Sequence, residues 1–193
     1  MAAGTVPGVR DDGKLRRALW LAVLAAAVLA VILAALVRVT TPAPLDATRL
    51  AGRPAPLFSL RAERDGQLLP NPISLSAQRG HPVLLVFGYS LCAHCLNGFQ
   101  AAREVAVSAA SRGLVILSVD SPAEDAAIID AYAQRLGLGA PILLDPGSAV
   151  AARYGIAAYP AFILVDRAGV VRGVWSGEVS ASTLETAAAP LLR

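Results

Sequence analysis

The chain contains two cysteines, and they lie three residues apart in Cys92-Ala93-His94-Cys95. That spacing suits thiol chemistry. One thiolate attacks a disulfide sulfur, and the second attacks the mixed disulfide so formed and releases the product. An inert structural bridge is the alternative, but closing so short a loop removes little entropy from the unfolded chain. A structural zinc site needs four ligands, and the whole chain supplies two Cys and two His (His81 and His94). Covalent haem attachment needs a His directly after the second Cys, and Leu96 stands there. No metal or other cofactor is expected.

A reactive thiol needs an element that stabilises its anion. Val83–Phe87 is a continuous apolar run, as expected of a strand covered on both faces. The motif follows directly, and residues 93–111 read as a helix, so Cys92 falls at a helix start. There the unpaired N–H groups and the positive end of the dipole lower a thiol pKa. His94 can add positive charge nearby. Cys92 is thus expected to be the exposed, reactive sulfur and Cys95 the more buried, resolving one.

The rest of the region alternates short apolar runs with helical stretches, which predicts an α/β domain. Leu57–Leu60 and Ile73–Leu75 read as short leading strands around Asp65-Gly66. Leu114–Val119 is a second buried strand. Residues 122–136 read as a helix, with Ser121 as N-cap and Pro122 at its first position. Asp145-Pro146-Gly147 is a turn, after which Ser148 can cap a short helix to Tyr154. Ala161–Val165 and Val170–Trp175 read as a hairpin around Asp166–Gly169, and residues 181–189 as a closing helix.

Upstream, Ala18–Val37 is 20 residues without charge, Pro or Gly. A helix needs ~20 such residues to cross a bilayer core. This is longer than the ~7–15-residue apolar core of a cleaved signal peptide. Four basic residues precede the run and Arg38 alone follows it closely, which predicts a cytoplasmic N-terminus and an exported remainder. The expected organisation is a cytoplasmic tail over residues 1–17, a transmembrane helix over 18–37, a linker over 38–52 and a domain over 53–193. Residues 1–40 carry the entire formal charge of +3, and residues 41–193 balance twelve Arg against twelve Asp or Glu. The exported part has no basic excess for phosphates, so nucleic acid is not an expected partner.

With these elements in place, the chain resembles the thioredoxin superfamily. Within it, the chain looks like the membrane-anchored TlpA/ResA-like and cytochrome-c-maturation thiol–disulfide oxidoreductases, with a domain of the AhpC/TSA-redoxin type. The resemblance rests on G-R-P-A-P-L-F-S-L, on S-L-S-A-Q-R-G-H-P-V-L-L-V-F before the motif, and on D-P-G-S-A-V-A-A-R-Y-G-I-A-A-Y-P-A-F-I-L-V-D-R-A-G-V-V. It implies a thioredoxin-like α/β fold, a central mixed sheet flanked by helices. It also implies disulfide exchange with protein substrates, such as apocytochromes or other exported proteins, and a membrane electron donor or acceptor. A monomer without bound cofactor is expected. Cys92 and Cys95 take the catalytic positions, with His94, Tyr159 and Pro160 in support. Tyr159-Pro160 falls at the family's cis-proline, where the Tyr159 backbone would face the Cys92 sulfur.

The chain departs from the family pattern at four places. Leu91 replaces a usual Trp, Gly98 and Gln100 replace a frequent Glu and Pro, and Val86 stands where thioredoxins bury an Asp. His in the motif's third position resembles strongly oxidising relatives, whereas the TlpA-like frame implies a reductant. Two alternatives share the fold. Phe87-Gly88-Tyr89-Ser90 resembles Sco-type copper-delivery proteins, but those space their cysteines C-x-x-x-C and use a later His, which this chain lacks. A peroxiredoxin would need an upstream Thr and Pro where Tyr89 and Leu85 stand.

Overall fold

The computed structural model describes residues 16–17, 19–30, 47–122, 129, 131, 134 and 140–193. The chain divides into two compact units, Met1–Ala43 and Pro44–Arg193. In the first, residues 19–30 are helical and solvent-exposed, with Trp20, Leu21, Leu24 and Val28 all outward. Among the described residues no helix is long and apolar enough to cross a membrane. Residues 18 and 31–37 of the expected span lie outside the described residues, as do residues 38–46 of the expected linker.

The second unit is built on a seven-stranded mixed sheet. Its strands are β2 (Ala62–Arg64), β3 (Gln67–Leu68), β5 (Val83–Gly88), β6 (Val115–Asp120), β7 (Ile142–Leu144), β8 (Ala161–Val165) and β9 (Val171–Ser176), in the order β3-β2-β7-β6-β5-β8-β9. β5 runs parallel to β6 and antiparallel to β8, and β6 runs parallel to β7. β1 (Ser59–Leu60) and β4 (Ile73–Ser74) form a separate antiparallel pair. The leading strands therefore pair as expected. The Asp65-Gly66 turn, however, closes a smaller hairpin, β2–β3, nested between them.

β5 explains why the core has two halves. All six of its residues are buried, and successive side chains point to opposite faces. Val83, Leu85 and Phe87 join one cluster with Phe58, Tyr154 and Ile163. Leu84 and Val86 join the other with Cys92, Cys95, Phe99, Phe162 and Leu184. The second cluster is closed by α1 (Ala93–Ala109), whose buried face carries Cys95, Phe99, Ala102, Val105 and Ala109 at the three-to-four-residue spacing of one helix side. The closing helix α3 (Ala181–Ala188) contributes Leu184 and Ala188 and is capped by Ser180, whose Oγ accepts from the Thr183 N–H at 3.2 Å.

The short helix α2 (Ala149–Arg153) corrects one expectation. Ser148 precedes it but makes no capping bond, and it sits at φ +57° as the last residue of the 3-10 turn Pro146–Ser148. Asp145 caps instead, its carboxylate accepting the N–H groups of Val150 and Ala151, both at 2.9 Å. β7 went unread because three apolar residues carry no periodicity. Most of the helix expected over 122–136 lies outside the described residues. At its start the Ser121–Pro122 peptide is cis, and the Ser121 hydroxyl donates to Asp145 Oδ2 at 2.9 Å.

The β8–β9 hairpin forms as read. Asp166 ties its turn, accepting the Ala168 and Val170 N–H groups, and it pairs with Arg172 at 2.7 Å. Burial pushes this carboxyl up, but the Val170 N–H, the Arg172 guanidinium and the Ala168 N–H outweigh it and hold it below the usual range. The outer edge of β9 is partly covered. Gly52 N–H donates to the Val171 carbonyl, Val171 N–H to that of Arg53 and Ala55 N–H to that of Gly169, at 2.8–2.9 Å, with Pro54 bridged to Val170.

Candidate active site

β5 ends at Gly88 and the chain turns through Tyr89–Leu91 into α1. The turn is tied by the Cys92 N–H, which donates to the Tyr89 carbonyl at 3.0 Å. Gly88 is required by close approach, because a Cβ there would overlap the Phe99 ring and lie 3.3 Å from Cys95 Cβ. Cys92 and Cys95 are joined as a disulfide, with their Cα atoms 5.3 Å apart. The Cys95 N–H, a first-turn donor of α1, points at Cys92 Sγ at 3.1 Å. That N–H is shared with the Cys92 carbonyl at 3.2 Å, and an N–H directed at the sulfur favours its thiolate over its thiol.

Cys92 keeps 7% of its surface and Cys95 none. The order of accessibility is the one expected, but Cys92 is nearly buried rather than exposed, because Tyr89 and Tyr159 pack against the same cluster. What projects at the rim is Leu91, 66% exposed, and the His94 side chain, 80% exposed.

Opposite the motif, the Tyr159–Pro160 peptide is cis. Its loop is held at several points. The Pro160 carbonyl accepts from Gly177 N–H at 2.8 Å. The Tyr159 ring meets Tyr89 edge-on, centroids 5.5 Å apart, and the Tyr159 hydroxyl donates to Ser121 Oγ at 3.2 Å. Ser121 and Asp145 are both buried. A continuous chain of bonds therefore runs from the tyrosine to the N-terminus of α2. Sequence reading had singled out neither partner for this role, because they lie 38 and 14 residues before Tyr159.

Gly98, one turn beyond Cys95, faces this loop. A Cβ at Gly98 would lie 2.8 Å from Pro160 Cγ and 3.0 Å from Phe162 Cζ, so the glycine lets helix and proline touch. The carboxylate that relatives often carry at this position has no room here. Val86 is fully buried and apolar, and the buried acids of the sheet are Glu63 and Asp120 on other strands.

His94 is not directed at the sulfurs. Its Nδ1 lies 3.0 Å from Glu178 Oε1, and the second carboxylate oxygen accepts from Asn97 Nδ2 at 3.1 Å. Glu178 lies two residues beyond β9 and was not singled out from sequence. The hydrogen bond to His94, and then that from Asn97, hold its carboxyl below the usual range. The structure thus gathers Cys92, Cys95, Tyr159 and Pro160 around one point and ties His94 to a carboxylate at its margin. Among the described residues no group of three or more His, Cys, Asp or Glu side chains is placed to hold a metal ion.

Comparison with known proteins agrees with this arrangement. The chain is 28% identical over 111 residues to the thiol-disulfide oxidoreductase ResA of Geobacillus kaustophilus, covering 58% of this chain and 63% of that protein. It thus spans less than two thirds of that relative's length. It is 27% identical over 135 residues to the thioredoxin-like protein YneN of Bacillus subtilis, covering 69% of this chain and 76% of that protein. The fold matches the crystal structure of a thioredoxin-family thiol:disulfide interchange protein from Chlorobium tepidum, with a TM-score of 0.61 and 22% identity, over 72% of this chain and 96% of that one. Residues 51–174 match the AhpC/TSA family. That match takes in the motif, the cis-proline loop and the strands that carry them, and the chain belongs to the AhpC/TSA family.

Proposed function

We propose that this chain is a membrane-anchored, extracytoplasmic thiol–disulfide oxidoreductase that reduces disulfides of exported proteins. The observation that carries this reading is the Cys92–Cys95 pair at the head of α1. The first sulfur faces the Cys95 N–H and the cis-proline loop lies opposite. In the reduced protein, the Cys92 thiolate attacks a substrate disulfide. One substrate sulfur bonds to Cys92, and the other leaves as a thiolate that takes a proton from water. The Cys95 thiolate then attacks Cys92 Sγ, expelling the second substrate sulfur and forming the intramolecular bridge. Two electrons pass to the substrate, and a membrane dithiol donor must return them. Leu91, apolar and exposed beside Cys92, offers contact to a substrate segment, and the Tyr159 backbone offers strand-like hydrogen bonds. Anchoring by residues 18–37 is supported by their length and lack of charge and by the basic flank before them. In this organisation residues 1–17 stay cytoplasmic, 38–52 form the tether, 53–193 form the catalytic domain, and the protein acts as a monomer.

Replacing Cys95 by Ser removes the resolving thiol. The variant should accumulate mixed disulfides through Cys92 with exported proteins, seen as thiol-sensitive adducts on non-reducing gels. If Cys95→Ser accumulates no adducts while the wild type reduces a model protein disulfide, the assigned roles are wrong.

A further inference from the structure

The motif's His94 would by itself favour an oxidant, since a positive charge beside Cys92 stabilises the reduced, thiolate form. The structure places a counter-charge on it from 84 residues away. Glu178 spans His94 and Asn97, three apart on the first turn of α1, with one carboxylate oxygen on each. Gly177, with φ +85°, turns the chain out of β9, and its N–H is bonded to the Pro160 carbonyl. The acid is thereby fixed to the same loop as the cis-proline. Two sides of the active site are joined through one exposed carboxylate.

We propose that Glu178 is a positioning residue that holds His94 at the margin of the site and, by offsetting its charge, keeps the Cys92–Cys95 couple reducing. The inference rests on the disulfide-exchange reading above and deepens it by assigning the direction of electron flow. The titratable groups around Cys92 include Cys95 and His94 on α1, Tyr89 before it, Tyr159 on the proline loop, Glu178, and the buried Asp120, which pairs with Gly88 at the end of β5. Glu178 is the exposed carboxylate of this set and the one bonded to His94. The sign does not depend on the protonation of His94. With Glu178 ionised, the charge of the pair on Cys92 lies between minus one and zero. With the acid removed, it lies between zero and plus one. Loss of Glu178 therefore favours the thiolate in either case.

The test compares wild type, Glu178→Gln and His94→Ala as full-length proteins. The Cys92 thiol pKa is read from the pH dependence of alkylation, and the potential from equilibration with glutathione. Both side chains are largely exposed, so folding should survive, and thermal melts check this. Glu178→Gln should lower the thiol pKa and shift the exchange constant with glutathione about fivefold toward the dithiol, a rise of about 20 mV for a two-electron couple. His94→Ala, which leaves the Glu178 charge in place, should shift neither quantity toward the thiolate or the dithiol. The Glu178→Gln shift should shrink in ~1 M salt, where the screening length is ~3 Å. An unchanged thiol pKa and potential in Glu178→Gln, or shifts of reversed sign, overturn the role of Glu178. Alkylation reports the thiol whether or not the pair exchanges with proteins. A wild type that reduces no disulfide therefore overturns the functional reading separately.

Discussion

A glycine one helical turn after Cys95 and a proline 62 residues on meet here in one contact. Gly98 touches the Pro160 ring directly, and the ring cannot retreat while its carbonyl is held by Gly177 and its neighbour Tyr159 by Ser121 and Tyr89. Replacing Gly98 by Ala gains up to about 1 kcal/mol of helix propensity, whereas overpacking a fixed site costs about 1–3 kcal/mol. Gly98→Ala should therefore lose about 1–2 kcal/mol in denaturant unfolding and disturb thiol exchange as well. A variant as stable as wild type would show that the proline loop yields. At this scale the sequence is readable where chemistry is local. Cys92 and Cys95 stand out by spacing, and Tyr159-Pro160 through the family resemblance of the segment that holds it. Glu178 does not, because an acid in the polar stretch Ser176-Gly177-Glu178 has the look of any surface loop, and its partners are distant in sequence.

Among the elements, β5, β6, β8, β9 and α1 were legible because each has a strong signature: apolar runs bounded by turn residues, or a helical stripe. The failures share a cause, which is short length. β7 is three residues, and α2 is a five-residue helix whose start depends on a side chain three positions before the expected cap. Asp145 accepts three hydrogen bonds in a buried setting, from Ser121, Val150 and Ala151, and it links that helix to the proline loop. Asp145→Ala should cost about 2–4 kcal/mol, since it strips a cap and leaves buried donors without acceptors. Asp145→Asn, which keeps one acceptor oxygen, should recover part of the loss. Equal denaturant midpoints for the wild type and Asp145→Ala would show that water replaces the carboxylate at no cost.

At the scale of the whole molecule, a neutral catalytic unit follows a short N-terminal unit that carries all the formal charge. The anchoring proposal predicts that the full chain stays with membranes after alkaline carbonate extraction. Replacing Leu24 and Val28 by Arg should release it, as each Arg near the centre of a span costs about 2.5–3.5 kcal/mol on insertion scales. Retention of the doubly substituted chain would mean that another part of the molecule holds it. The fold of the second unit was largely apparent from its pattern of strands and helices. The first unit offers only its apolar length, because a run that is apolar all round carries no polar face from which packing could be read. The hydrogen bonds between residues 52–55 and the edge at β9 have a further consequence. A proteolytic cut upstream of Gly52 would leave the sheet edge covered at Gly169–Val171. A cut beyond Ala55 would bare those backbone donors and acceptors to another copy of the same strand, opening a route to polymers. Residues 52–55 thus guard this edge against self-association, and their loss would be seen as aggregation before any loss of thiol chemistry.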